Sequence, residues 1–462
     1  MEYYNRFTKD YKRAVQSPHK KLLMRIELLS TNEGTIGEIT KDMLIDVQGQ
    51  ININYNQLVR RSVSLTVTNV DQKYVPSVNN MIWYNRKFKI WIGVVAENND
   101  VYWWSQGVFY TKSATGNAHT ISIEGIDKGG ALDGTLKTNL SEVQYIVKAG
   151  TSIKNLILDT LALNAGSSAK MLKGSVYYGA SMPIDPVAPI VDMRYNTQLL
   201  KADLSVDANN YLGNLFTSLA NGYGADIYYD TNGHLRLEPL ADIFLIDGYK
   251  YMAHQWDFTD LSGDFAETNY AYNMDGCNAV TVYTNLSVET AALINAQNEA
   301  KQEDETVSDD EPTDDEEEEE EVNDPNIYYT AYNLNPISPL RVGAVGLRRM
   351  QSVEIDYVDT TESDMKSRCE QYAVMLLHKE SLRSMSVTFN CPIIPHLDVN
   401  KTIGLTDRYQ KIESGTFIIG SITIPLGTGT MNVSATNIQW LPVDYQIDGT
   451  FIENSETIGG DG

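Results

Sequence analysis

The sequence predicts a mainly β protein in which two β-barrel or β-sandwich domains flank a mixed α/β middle region. Short runs of alternating apolar and polar residues dominate residues 22–126. This alternation then gives way to helical spacing of apolar residues, and it returns beyond residue 278. Strands alternate with a period of two residues and helices with a period of about 3.6. The change of rhythm therefore predicts three domains, at residues 1–135, 136–265 and 266–445.

The first predicted domain opens with a helix over residues 4–15, which ends before Ser17 and Pro18. Strands follow it. In residues 62–70 the alternation places Val63, Leu65 and Val67 on one face. Several short strands joined by polar turns are typical of a barrel or a sandwich. The predicted strands are residues 22–29, 47–54, 62–70, 88–95, 101–104, 107–111 and 119–126.

The middle region, residues 136–265, combines two helices with a hairpin. One helix is predicted over residues 153–163, with Thr151 or Ser152 as its N-cap, and the other over residues 209–220. Strands at residues 225–229 and 234–238 surround a turn that contains Asn232 and Gly233. An Asn-Gly pair between two alternating runs is a strong hairpin signal.

The third domain, residues 266–445, combines strands with one long helix over residues 362–382. Five side chains of that helix are predicted to be buried, at 3–4 spacing: Met365, Cys369, Tyr372, Ala373 and Leu376. A shorter helical stretch is predicted over residues 288–300, and residues 446–462 are a polar, flexible tail. The predicted strands are residues 278–283, 327–332, 351–357, 384–389, 415–423 and 431–439.

Composition excludes several classes of protein. The 462 residues contain no apolar run of the roughly 18–20 residues that cross a bilayer, and residues 1–21 lack the apolar core of a signal peptide. We therefore expect no membrane span and assembly in a cytoplasm. Cys277, Cys369 and Cys391 are odd in number and widely separated, which favours buried, reduced thiols. The net charge of −25, without a basic stripe, argues against nucleic-acid binding.

No residue pattern predicts an active site. The sequence lacks a zinc-protease motif, a serine-hydrolase elbow and a phosphate-binding loop, and its six histidines are scattered. Two groups of carboxylates are candidates for acid–base chemistry, but Asp in such settings more often closes a turn or caps a helix. These groups are Asp257, Asp260 and Asp264, and Asp356, Asp359 and Asp364. We therefore predict a protein that is not an enzyme, without catalytic, metal-binding or cofactor-binding residues.

Several segments resemble the hub proteins of long-tailed bacteriophage tails and of related contractile injection systems. Their order and spacing carry the resemblance, which covers about three-quarters of the chain. At residues 400–401 the chain has Asn-Lys where that family often has Gly-Asp. The segments are A-V-Q-S-P-H-K at 14–20, R-S-V-S-L-T-V-T-N at 61–69, W-Y-N-R-K-F at 83–88, G-V-F-Y at 107–110, Y-Y-D-T-N-G-H-L-R-L at 228–237 and P-H-L-D-V at 395–399.

The resemblance implies two tail-tube-like β domains in each subunit of a homotrimer, so that six such domains match a sixfold tail tube. It also implies a virion protein of the tail tip or baseplate, around a channel for DNA ejection. The implied partners are the tail tube or distal tail protein above and baseplate, spike or tail-fibre proteins below. The tape measure protein is a further candidate partner.

The acidic segment 302–324 is foreign to this pattern and is predicted to be an insertion in the second tube-like domain. It holds fifteen acidic residues and no basic one between Glu303 and Asp324, so repulsion should keep it extended and solvated. One interpretation is a surface loop. The other is a negative lining near a DNA path, or a loose site for multivalent cations.

Two other classes of function stay open at this point. A tail-tip adhesin could stack sugar rings on exposed aromatic side chains such as Trp103 and Trp104, although these could equally pack a pair of strands. A cell-wall hydrolase would require one of the two carboxylate groups to lie across a cleft.

Overall fold

The computed structural model describes residues 9–17, 20–39, 44–55, 58–69, 71–77, 80, 82–84, 86–136, 144–163, 183–200, 203–223, 225–239, 254–261, 263–272, 276–285, 326–334, 340–355, 362–381 and 385–438. Within these residues no helix combines the length and the apolar character needed to cross a bilayer. The acidic segment 302–324, the helical stretch predicted at 288–300 and the tail predicted at 446–462 lie outside the described residues.

The first section of the chain forms one helix and seven strands. Alternation explains the strands well: in Arg61–Thr68 every second residue is buried, beginning with Arg61. The strands predicted at 101–104 and 107–111 are one strand, which continues through a bulge where Gly107 takes a φ of 145°. The elements are α1 (Lys9–Gln16), β1 (Lys21–Leu29), β2 (Thr35–Ile39), β3 (Leu44–Asn54), β4 (Arg61–Thr68), β5 (Lys87–Val95), β6 (Val101–Gly116) and β7 (Thr120–Asp127).

The middle section contains both predicted helices and the predicted hairpin. The second helix begins at Gly213, four residues later than predicted, after Asn209 has taken a positive φ of 66°. The hairpin pairs Ala225 with Pro239, and Gly233 in its turn has a φ of 86°. The elements are β8 (Tyr145–Val147), α2 (Ile153–Leu161), β9 (Ile190–Val191), α3 (Met193–Asn196), β10 (Leu204–Val206), α4 (Gly213–Gly222), β11 (Ala225–Tyr229) and β12 (Leu235–Pro239).

Ser152 is the N-cap of α2, as the sequence predicts. Its side chain accepts a hydrogen bond of 3.2 Å from the backbone N–H of Asn155, which has no partner of its own within the first turn of the helix. We expect Ser152→Ala to lower the free energy of unfolding by about 1 kcal/mol. Urea denaturation followed by circular dichroism measures this change. An unchanged midpoint would contradict a stabilising cap, and Ser113→Ala, at an exposed position of β6, is the control.

Within the described residues the third section contains the long predicted helix and nine strands. Of the five helical side chains predicted to be buried, four are buried and Tyr372 is half-buried. The strand predicted at 351–357 is only two residues long. The elements are β13 (Asp257–Thr259), β14 (Ala266–Tyr272), β15 (Ala279–Asn285), β16 (Asn326–Tyr332), α5 (Val342–Val345), β17 (Val353–Glu354), α6 (Glu362–Ser381), β18 (Met385–Pro392), β19 (Thr402–Asp407), β20 (Ile412–Pro425) and β21 (Thr430–Ile438).

Within the described residues, one sheet of 13 strands joins the first section of the chain to the third. Its main path runs β14-β18-β21-β20-β3-β4-β7-β6-β5-β1-β2, with β19 pairing to both β20 and β13. The antiparallel pair of β3 and β20, with Ile53 opposite Ile422, links the first section to the third. One apolar core lies against this sheet and contains side chains of both ends, such as Ile51 and Phe389. The prediction of a mainly β fold is confirmed.

Two smaller cores lie beside the large sheet. In the first, α2 and α4 pack with the β11–β12 hairpin, and Leu58 from the first section joins them. In the second, α6 packs on β15 and β16, so that Cys277 and Cys369 are both buried there. The three cysteines are buried, as expected from their spacing. The division into domains at 135, 265 and 445 stays a prediction.

Candidate functional site at the junction of three sections

Charged side chains, most of them buried, meet where the first, middle and third sections of the chain come together. We call this cluster of charged side chains the junction. They are Glu33, Arg60, Arg61, Lys87, Asp127, Lys128, Asp185, Asp226, Glu238, Asp398 and Lys401. Burying an isolated ion costs several kcal/mol, so such groups persist only when their partners are well placed.

Arg60 binds the middle section at the start of β4. Its Nη2 donates to both oxygens of Asp226, at 2.5 and 2.6 Å, and neither side chain has more than 1% of its surface exposed. The guanidinium lies 3.6 Å from the centroid of the Tyr228 ring, which adds a cation–π contact. Asn400 Nδ2 donates to the same carboxylate at 3.1 Å. One arginine thus holds a strand of the middle section against the large sheet.

Arg61 contacts all three sections. The residue belongs to β4 of the first section, and its Nη1 donates to the backbone oxygen of Tyr229 in the middle section at 2.7 Å. Its Nη2 donates to both oxygens of Asp398, in the third section, at 2.6 Å. A forked guanidinium suits this role because it binds a carboxylate in a fixed orientation.

Asp127, at the end of β7, orders the backbone of both arginines. Its carboxylate accepts hydrogen bonds from the N–H groups of Arg60, Arg61 and Gly129, at 2.7, 2.8 and 3.1 Å. Burial raises the pKa of Asp127 to about 6, against these N–H groups, which favour the charged form. The backbone of both arginines is therefore held in a fixed position at the start of β4.

Lys128 continues the junction on the other side of Asp127. Its Nζ donates to Asp185 Oδ1 at 2.6 Å and to the backbone oxygen of Gly233 at 2.8 Å, and it lies 2.7 Å from Glu33 Oε1. Lys87 Nζ lies 2.8 Å from the same oxygen of Glu33. Burial by itself would raise the pKa of Glu33, but the two lysines outweigh it and hold the pKa below its usual value. The carboxylate stays charged between its two partners.

Lys401 and Glu238 close the junction near the Tyr228 ring. Glu238 accepts a hydrogen bond of 2.9 Å from the Tyr228 hydroxyl and lies 3.4 Å from Lys401 Nζ. The nearby Tyr228 and Glu238 raise the pKa of Lys401 above its ordinary value, against burial. Each cation of the junction thus has a carboxylate partner within reach. The arrangement can hold the three sections together.

The sequence-predicted carboxylates lie elsewhere. Asp257 Oδ1 is 2.6 Å from His254 Nδ1, and Asp260 Oδ2 accepts a hydrogen bond of 3.0 Å from Arg408 Nε. Asp264 lies between β13 and β14. Asp356 and Asp359 fall outside the described residues, and so does the side chain of Asp364. Within the described residues no three His, Cys, Asp or Glu side chains are placed to hold a metal ion. That the chain lacks catalytic residues stays a prediction.

Trp103 and Trp104, the candidate sugar-binding pair, point to opposite faces of β6. Trp104 packs against the main core, where its ring is 5.6 Å from Tyr11. Trp103 lies on the outer face, half-buried, with the Arg25 guanidinium 5.0 Å from its ring centroid. Because the two side chains are separated by the sheet, they cannot stack on one sugar ring together.

The junction was not predicted from the sequence, because its partners are far apart in the chain. Arg60 and Asp226 are separated by 166 positions, and Arg61 and Asp398 by 337. A local signal does exist. Asp226 interrupts the apolar strand Ala-Asp-Ile-Tyr-Tyr, and a charge at a buried strand position requires an opposite charge nearby.

Three solved tail proteins align with this chain. A tail protein from Neisseria meningitidis aligns with a TM-score of 0.50 and 10% identity, over 92% of this chain and 98% of that one. A 43 kDa tail protein of prophage MuSo2 from Shewanella oneidensis aligns at 0.48 and 11%, over 90% and 98%. A prophage tail protein from Listeria monocytogenes aligns at 0.44 and 11%, over 92% and 97%. No protein-family model matches the sequence, and neither does any curated protein. The first alignment shows that this chain has the fold of a tail protein.

Proposed function

We propose that this chain, which has the fold of a tail protein, is the structural hub of a phage-type tail. Three copies form a ring that joins the sixfold tail tube to the baseplate or tail tip and encloses the channel for DNA ejection. The role is assembly and not catalysis.

The observation that carries the proposal is the composition of the large sheet. Seven of its strands come from the first section and six from the third, and the β3–β20 pair places the two sets side by side. Two sets of similar strand number in one subunit give six sets in three subunits. A threefold ring of this kind presents six similar units to a sixfold tube, so the two symmetries can meet without mismatch.

The junction supports the same role. A hub that bears load between a tube and the parts below it needs its sections at fixed relative positions. Arg60 and Arg61 supply such a connection, because these two adjacent residues at the start of β4 bind carboxylates of the middle and third sections. The proposed partners are the tail tube or distal tail protein above and baseplate, spike or tail-fibre proteins below, in the virion.

A trimer in solution is the expected result. Light scattering coupled to size-exclusion chromatography should give three times the mass of the 51.7 kDa chain, and electron microscopy of the purified protein should show a threefold ring with an open centre. Addition of the tail tube protein should give rings seated on the ends of tubes. A single-chain mass at all concentrations, with bare tube ends, would contradict the proposal.

A further inference from the structure

One side of the large sheet is polar but almost uncharged. In β4 the buried residues alternate with residues that carry a hydroxyl group and are exposed or half-buried: Ser62, Ser64, Thr66 and Thr68. Strands β18 and β21 of the third section repeat this pattern with half-buried hydroxyl and amide side chains: Ser386, Thr388, Asn390, Asn432, Ser434 and Thr436. We call the side of the sheet that carries these residues the hydroxyl–amide face.

The strand register makes this face continuous from the third section to the first. Ser434 of β21 lies opposite Thr388 of β18 on one side and Ser421 of β20 on the other. Ser421 in turn lies opposite Asn54 of β3, across the boundary between the two sections. Residues that lie opposite each other in a ladder point to the same side of the sheet. Six neighbouring strands therefore share the face: β18, β21, β20, β3, β4 and β7.

Side chains of the hydroxyl–amide face hydrogen-bond to one another across neighbouring strands. The hydroxyl oxygens of Thr66 and Ser122 are 2.9 Å apart, and Asn432 Nδ2 donates to Asn390 Oδ1 at 2.9 Å. A hydroxyl or an amide can make more hydrogen bonds than the one it spends on a neighbour. The remaining donors and acceptors bind water, so the face carries a hydration layer.

The face differs from the whole chain in its charge. The chain has a net charge of −25, whereas Glu124 is the one charged residue at the described paired positions on this side of the six strands. Its carboxylate accepts a hydrogen bond of 2.8 Å from the Ser113 hydroxyl. Without cations the face cannot pair with phosphates, and with so few carboxylates it repels them only weakly. These properties suit a polyanion that moves past a surface without binding to it.

The opposite side of the same strands is closed. It carries the apolar core, which contains Val63 from the first section and Phe389 from the third. On the hydroxyl–amide face, in contrast, Asn54 and Ser122 are exposed. The polar side of the sheet is therefore the one that can meet another molecule.

We propose that the hydroxyl–amide face lines the channel of the ring, where DNA passes along a hydrated and nearly uncharged wall. This inference rests on the proposed function, because it names the surface that encloses the channel. Three copies contribute six strands each. With about 4.8 Å between strands and a tilt of about 40°, a cylinder of these strands leaves a bore of about 25 Å between its side chains. A DNA duplex fits such a bore.

The test places lysines on the face. Asn54→Lys combined with Ser434→Lys adds one cation from each section, and the ring of this variant should bind linear duplex DNA at least about 10-fold more tightly than the wild-type ring. The affinity should fall steeply as the salt concentration rises. Closed circular DNA of the same length should not be retained, because it cannot thread a closed ring. Electrophoretic mobility shifts with the two forms of DNA measure the difference.

Lysines at exposed positions off the face provide the matched control. Thr35→Lys, on the edge strand β2, and Gln371→Lys, on α6, together add the same charge. DNA that binds to this control should bind equally in linear and in circular form, because neither substitution lies in the channel. Mass photometry checks that both variants form trimers.

A second variant covers the case in which the lysines prevent folding. Asn54→Cys is modified after the ring has formed, with a thiol reagent that carries a quaternary ammonium group. The three native cysteines are buried and should not react. This ring should show the same preference for linear DNA as the lysine variant does.

The outcomes separate this inference from the proposed function. Equal binding of linear and circular DNA by rings with cations on the face would place the face outside the channel and overturn the lining. Rings that bind neither form would overturn it as well. In both cases the ring itself, and with it the proposed function, would stand. A wild-type chain that stays a single copy would overturn both.

Discussion

Replacing Asp226 with alanine is expected to lower the free energy of unfolding by about 3–5 kcal/mol. The substitution removes the carboxylate that accepts both hydrogen bonds of Arg60 Nη2, at a position where 1% of the arginine side chain is exposed. The flat ring of Tyr228 offers only partial compensation. Chemical denaturation of the full chain, followed by intrinsic fluorescence, measures the loss.

The chain provides a matched control at its surface. Lys148 and Asp203 form an ion pair of 2.5 Å, as short as the pair of Arg60 and Asp226, but their side chains are 72% and 44% exposed. Asp203→Ala should therefore cost no more than about 1 kcal/mol. Replacing both buried partners, with Arg60→Met and Asp226→Leu, should recover much of the loss, since no charge is then left unpaired. Equal losses in the two Asp→Ala variants would show that burial does not govern the strength of the pair.

Acidification from pH 6.5 to 4 is expected to remove about 3 kcal/mol of stability through His396 alone. Its Nδ1 accepts a hydrogen bond of 2.7 Å from the Tyr11 hydroxyl, and its Nε2 donates to the backbone oxygen of Gln255 at 3.1 Å. Burial lowers the pKa of His396 from 6.5 to about 4. In this interval the unfolded chain binds a proton that the folded chain does not, so stability falls as the pH falls. The contribution is complete above pH 6.5.

The non-titrating variant His396→Gln isolates this effect. We expect the difference in unfolding free energy between wild type and variant to shrink by about 3 kcal/mol as the pH is lowered from 7 to 4. Asp127, whose pKa is raised to about 6, acts in the opposite sense because its folded form binds the extra proton between pH 3.8 and 6. It is present in both proteins and cancels in the difference. Parallel curves for the two proteins would rule out a buried neutral imidazole.

Local pattern predicted the elements that are regular and half-buried. The Ile153–Leu161 helix and the Ala225–Tyr229 hairpin strand appear where period and turn chemistry place them. The strand Thr402–Asp407 was missed, because five of its six residues are buried and it shows no alternation. Two separate strands were predicted at 101–104 and 107–111, whereas the positive φ of Gly107 lets one strand continue through a bulge. Both features depend on the pairing with neighbouring strands, which a local sequence pattern does not contain.

The junction shows the limit of such reasoning more clearly. A sequence pattern indicates that Asp226 needs a cation, but it does not say which of 36 lysines and arginines supplies it. That choice is made by the β3–β4 pairing and the bridge between Leu58 and Tyr228, which bring Arg60 beside the hairpin. Long-range pairing of strands is therefore the step between the charge pattern and the site.

The hairpin of β15 and β16 has a consequence for how this chain can vary. Asn285 lies opposite Asn326 in the register, so the two residues that border positions 286–325 are neighbours in space. Closing a chain between two fixed points costs free energy that grows only with the logarithm of its length. The pairing of β15 with β16 therefore depends only weakly on the length of the sequence between them. Sequence can therefore be inserted or replaced at this position at little cost to the rest of the fold.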